Sequence, residues 1–345
     1  MKGSITEKPF GVIDNKQVTA YTLTNSNGME VSVINYGATI IRILTPDKNG
    51  VKGNVILGFD SLDGYIQNSA QYMGCIVGRY CNRIAHAGFS LDGQSYKLAD
   101  NNDGNCLHGG LKGFDKMWWN IEKDENNNSL RLTYLSKDAE EGFPGNLQVE
   151  VIYTLYPDNA LLIDYTAVTD QATPVNLTSH CYFNLSAGMV SNVLDHELLL
   201  FADEYTLLNE HAIPTGQIVS VMNTPYDFTQ PKKIGKDIND ISSGGYDINL
   251  VLNGEAGKAA MLYEPVSGRF MEMFTTEPGL QFYSGNFLHA AITDPLGKEN
   301  YVRHAALCLE AQHFPNSPNE PAFPNTILRP GETYRQSTVY KFSVK

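Results

Sequence analysis

The chain of 345 residues has no run of about 18 consecutive apolar residues, which excludes a membrane-spanning helix. It has no lysine- or arginine-rich stretch, and its formal charge is −13. Nucleic acid and anionic membrane surfaces are therefore poor partners, and a neutral ligand suits the chain better than a polyanion. The start, Met1 to Glu7, has no apolar signal region, so the expected compartment is the cytoplasm. The five cysteines, Cys75, Cys81, Cys106, Cys181 and Cys308, form no CxxC pair and lie mostly in apolar segments. They read as buried, reduced thiols. There is no HExxH motif, no Cys/His set with ligand spacing, no GxSxG elbow, no P-loop and no Rossmann glycine fingerprint. No metal and no cofactor is expected. Sustained helical periodicity is nearly absent, with one turn or short helix expected over Lys236 to Ile241. Without a Pro/Ser/Gly-rich linker or an internal repeat, residues 1–345 read as a single domain.

What the chain has is strand-like alternation. The segments Gly28 to Tyr36, Gln148 to Leu155 and Leu161 to Val168 are short, rich in β-branched or aromatic residues, and bounded by Gly, Asn, Asp or Pro. Asn27-Gly28, Asn49-Gly50, Asp92-Gly93 and Asn253-Gly254 read as hairpin turns, and Asp124 to Asn128 as a polar hairpin tip. The stretch from Pro321 to Tyr334 reads as an ordered surface loop before a last strand, Ser337 to Val344. The fold class that follows is all-β, a large antiparallel β-sandwich.

Two apolar, strand-like segments each carry one ionisable side chain: His180 in Thr178 to Leu185, and Glu310 in Leu307 to Asn316. Burial disfavours the charged form of each, so each needs a partner. They are the candidates for proton transfer. His108 precedes Gly109-Gly110, where the backbone can turn sharply beside a ligand; the plainer reading is a buried histidine satisfied by backbone. Asn82 and Arg83 end an apolar strand with the donors and acceptor a polyhydroxylated ligand needs, or are loop residues at the surface. Asp247, beside Tyr246, suits neighbouring sugar hydroxyls, or is an ordinary turn aspartate. Gln281 lies where aromatics and amides interleave, in Thr276 to Phe287, as on a carbohydrate surface or simply in a core.

Together these segments resemble the aldose 1-epimerase (galactose mutarotase) family. The resemblance runs from about Phe10 to Lys345. It is carried by Gly78 to Ile84, Phe89 to Gly93, Leu107 to Gly110, the His180 segment, Thr224 to Phe228, Tyr246-Asp247, Pro278 to Asn286, Glu310 to Pro315 and Ile327 to Tyr334, all in the family's order. The resemblance implies a mutarotase-like supersandwich with a sugar cleft and no required metal. It implies Glu310 as catalytic base and His180 as catalytic acid. Asn82, Arg83, His108, Asp247 and Gln281 resemble sugar-binding residues, and Tyr182, beside the acid, lines the site. Two departures from the family pattern, Ile248 and Cys181, are expected to bear on sugar preference.

The implied reaction interconverts α- and β-anomers of a free aldohexose, galactose or glucose. Ordinary acidities would leave Glu310 ionised and His180 partly protonated at neutral pH, with the carboxylate offsetting the effect of burial on the imidazole. Three other readings stand beside it. They are a hexose-6-phosphate epimerase, a glycosidase using Asp247 and Glu310, and a non-catalytic sugar-binding module on the same fold.

Overall fold

The computed structural model describes residues 3–254, 257–292 and 301–345. Met1 and Lys2, at the head of the segment read for a signal region, lie outside the described residues. Among the described residues the single α-helix is Leu62–Gln67, capped by Ser61, whose Oγ accepts the Gly64 N–H. The expected turn near Lys236 to Ile241 is a 3-10 helix, Ile238–Asp240.

Three large antiparallel sheets carry the rest. The first is a five-stranded meander in chain order, from Ser4–Ile13 to Lys52–Asn54. The second has nine strands, and the last strand of the chain, Tyr334–Val344, lies within it between Ala160–Thr169 and Arg269–Thr275. The third has six strands in the order Tyr182–Phe183, Leu307–Gln312, Gly279–Tyr283, Asp247–Val251, Glu204–Leu208 and Pro214–Ser220.

Alternation sets which side of each strand is dry. In Leu147–Leu155, Val149, Val151 and Tyr153 are buried while Gln148 is exposed. In Ala160–Thr169, Leu161, Ile163, Tyr165 and Ala167 point the same way. One apolar cluster joins Val31 and Ile43 of the first sheet, Val151 and Ile163 of the second, and Leu280 and Leu309 of the third.

Three of the four expected hairpins form, at Asn27-Gly28, Asn49-Gly50 and Asp92-Gly93. Asp92 and Gly93 both have positive φ, 51° and 78°, as a two-residue turn matched to strand twist requires. Asn253-Gly254 is not a hairpin: the strands on either side, Asp247–Val251 and Lys258–Tyr263, belong to different sheets. Two residues carry turn chemistry but not the identity of the next pairing partner.

Candidate active site

The floor of the site is built on three neighbouring strands of the six-stranded sheet, Asp247–Val251, Gly279–Tyr283 and Leu307–Gln312. Their register aligns Asn249, Gln281 and Glu310 in one row, and Asp247, Tyr283 and Cys308 in the next. The period of two puts these polar side chains on one face. Ile248, Leu250, Leu280, Phe282, Leu309 and Ala311 alternate with them and enter the apolar core. The same strands therefore anchor the fold and present the chemistry.

His180 arrives differently. The expected continuous strand around it is broken. Thr178–Ser179 pairs with Ile76–Val77, and Tyr182–Phe183 pairs with the Glu310 strand. His180 sits in the gap, its N–H donating to the Cys75 carbonyl at 3.0 Å and its carbonyl accepting the Gly74 N–H at 2.9 Å. The break re-aims the imidazole while both backbone polar groups stay satisfied.

A third wall comes from the paired strands Arg83–Ile84 and Cys106–Leu107. Asn82 and His108 lie at their ends and clasp each other. The His108 N–H donates to the Asn82 carbonyl at 3.0 Å, and the Asn82 N–H donates to His108 Nδ1 at 3.2 Å. Gly109 is required by close approach: a Cβ there would lie 2.0 Å from the Gly78 carbonyl oxygen, at a φ of 85°.

All eight residues singled out from sequence, Asn82, Arg83, His108, His180, Tyr182, Asp247, Gln281 and Glu310, line one cavity of about 250 Å³. That is below the range for drug-sized ligands and suits a single monosaccharide. Tyr72, Tyr283 and Phe287 add aromatic rings to its lining. Sequence reasoning did not single out Tyr72, whose ring lies 4.6 Å from that of His108. No periodicity or turn signal marks it. Phe287, 65% exposed at the rim, belongs to the aromatic stretch around Gln281 and was legible only as part of it. A larger cavity of about 630 Å³ lies at Lys232 and Asp237. It contains no buried acid–base pair, so size does not decide here; chemistry does.

His180 Nε2 lies 3.7 Å from Glu310 Oε2, and both residues are buried. Glu310 Oε2 has no hydrogen-bond partner among the described residues. Burial raises the Glu310 pKa well above the carboxylate range; nearby Asp247 adds to this and Arg83 opposes it. Burial lowers that of His180 to about 4. Burial thus works against both halves of the expected ionised base and partly protonated acid.

His108 is held well below the ordinary imidazole value, by burial first and then by His180 and Arg83. Since its Nδ1 accepts a backbone N–H, its proton is on Nε2, making it a neutral donor. Ligand atoms of His108, His180 and Glu310 lie within 4.8 Å of one another, a spacing that would suit a metal ion. The His108 tautomer works against it, because Nε2 has no lone pair to give while Nδ1 is engaged. On the floor, Gln281 Nε2 donates to Asp247 Oδ1 at 2.6 Å, and on the third wall Arg83 Nε donates to Asn102 Oδ1 at 2.9 Å.

The sequence model of the family described as aldose 1-epimerase matches residues 19–341. The chain belongs to the aldose 1-epimerase family. The galactose mutarotase of Homo sapiens is 41% identical over 344 residues, 99% of each chain. The aldose 1-epimerase of Escherichia coli K12 is 38% identical over 347 residues, 98% of this chain and 99% of that one. The crystal structure of galactose 1-epimerase from Lactobacillus acidophilus NCFM superimposes with a TM-score of 0.87 at 29% identity, covering 99% of both chains.

The two departures from the aldose 1-epimerase pattern face away from the cavity. Ile248 and Cys181 both belong to the apolar core and do not line the site. Neither can touch a bound sugar, which removes the direct route by which they were expected to bear on preference.

Proposed function

We propose that the chain interconverts the α- and β-anomers of free aldohexoses, galactose and glucose among them, with Glu310 as base and His180 as acid. The observation that carries this reading is the buried His180–Glu310 pair, 3.7 Å apart, on the wall of a monosaccharide-sized cavity. Glu310 takes the proton from the C1 hydroxyl and His180 gives one to the ring oxygen. The C1–O5 bond breaks, leaving an aldehyde. Rotation about C1–C2 presents the other carbonyl face, and closure reverses both transfers. Each positioned transfer typically contributes about 10²–10⁴-fold.

Proton bookkeeping links this to the electrostatics. Ring opening converts ionised Glu310 and protonated His180 into protonated Glu310 and neutral His180. Burial favours that second arrangement. The two transfers thus remove both buried charges as the ring opens. Asn82, Arg83, His108, Asp247 and Gln281 hold the hydroxyls so that C1 and O5 face the pair, with Tyr182 as a wall.

Arg83 is the one lysine or arginine lining the cavity among the described residues, which suits an uncharged sugar better than a sugar phosphate. Both proton-transfer groups are present, which suits an enzyme better than a binding module. All five cysteines are free and buried, in keeping with one domain working in the cytoplasm.

Polarimetry on freshly dissolved α-D-galactose and α-D-glucose tests the proposal. The wild type should speed relaxation to the anomeric equilibrium, while His180→Asn and Glu310→Gln should each lose at least about 10²-fold. Near wild-type rates in Glu310→Gln would refute the base assignment.

A further inference from the structure

Behind the cavity, and not lining it, lies Gln312. It is fully buried, two residues beyond Glu310 on the same strand and the same face. Its Nε2 donates to Asn249 Oδ1 at 3.1 Å and to Gln281 Oε1 at 3.4 Å. Its Oε1 accepts the Cys81 thiol at 3.4 Å. Gln281 in turn donates from Nε2 to Asp247 Oδ1 at 2.6 Å. Opposite Gln312 in the register is Gly279, where a Cβ would lie 2.8 Å from Asn249 Oδ1.

The direction of this chain follows from its last member. The Gln281 NH₂ faces Asp247 Oδ1, to which it donates. Gln281 Oε1 then faces backward and needs a donor, which the Gln312 NH₂ supplies. Gln312 Oε1 is left to accept the thiol of Cys81. Asn249 turns its oxygen to Gln312, and its Nδ2 has no partner among the described residues. A buried donor is left unsatisfied while the orientation of Gln281 is kept.

We infer that Gln312 is a positioning residue for sugar recognition: it fixes the amide of Gln281, and through it the carboxylate of Asp247, in the orientation the sugar meets. The inference rests on the reading above that Gln281 and Asp247 contact the sugar. It gives a task to Cys81, Asn249 and Gln312, none of which lines the cavity. The inference takes Gln281 and Asp247 to hold hydroxyls that do not change in the reaction, so that their contacts are alike in ground and transition states. Their loss then appears in KM rather than kcat.

A double-mutant cycle of Gln312→Met and Gln281→Met, followed by polarimetric kinetics on galactose, tests it. Gln312→Met, of similar length and without hydrogen bonds, should raise KM about 3- to 10-fold, the loss of one or two neutral hydrogen bonds, with at least half of kcat kept. Gln281→Met should raise KM by a similar or larger factor. The double variant should be no worse than Gln281→Met, because one residue acts through the other. A role confined to stability would lower the melting temperature and leave the KM of the folded enzyme in place, and that result overturns the inference. So would KM increases that multiply in the double variant. A wild-type KM in Gln281→Met would refute the sugar-contact reading itself, and the inference with it. If Gln312→Met does not fold, Gln312→Glu keeps the shape and the acceptor for Cys81 but removes the amide donor. The same rise in KM is expected, and an unchanged KM again overturns the inference.

Discussion

Glu310 stands between two charges that act on it in opposite directions. Asp247 raises its pKa and Arg83 lowers it. Asp247→Asn should therefore move the alkaline limb of kcat/KM to lower pH, and Arg83→Gln should move it to higher pH. Each change should also raise KM. Limbs that move together in both variants would show that this limb does not belong to Glu310. The acid limb tests the other partner. His180 takes its proton at about 4, so kcat/KM should hold from neutral pH until it falls near that value. An acid limb near the ordinary imidazole value of about 6.5 would show that burial does not govern His180. Seven of the eight site residues were legible as polar side chains set in or beside apolar, aromatic or glycine-rich segments, with plainer readings beside several of them; the family resemblance chose among those readings and added Tyr182. Their protonation was not legible, because depth of burial depends on strands far away in sequence. Tyr72 was not legible either, since an aromatic near a turn has many ordinary explanations.

The strand is the scale at which stability and chemistry share residues. Leu309 enters the core between Cys308 and Glu310, which lie on the other side of the strand. Leu309→Ala should cost about 2–5 kcal/mol, seen as an earlier midpoint in urea. Specific activity of the folded fraction should change far less than in Glu310→Gln. Equal losses of activity in the two would mean that strand position, not proton transfer, limits the rate. Alternation made these strands readable, and Asp92-Gly93 made a hairpin readable, because both effects are local. The break at His180 is not local. It exists because the segment must pair with Ile76–Val77 on one side and with Leu307–Gln312 on the other. A periodic apolar segment does not announce a change of partner.

Across the whole molecule, the last strand is an interior one. Tyr334–Val344 is bonded on both edges within the nine-stranded sheet. Removing residues 334–345 should leave no cooperative unfolding transition by circular dichroism, whereas a trimmed exposed tail would cost little. Survival of the transition would place the stabilising core elsewhere. The sandwich class was legible from many short strands and turns. The order of strands was not, because neighbours such as Asp247–Val251 and Gly279–Tyr283 are chosen by packing across long stretches of chain. The His180–Glu310 pair shows what that arrangement implies for assembly. Its two members are brought together only when the chain has closed loops of more than a hundred residues, and such closures are slow. During refolding, returning catalysis should thus trail the recovery of strand signal. The anomerase rate becomes a clock for the final docking of the sheets, readable in a polarimeter without any added probe.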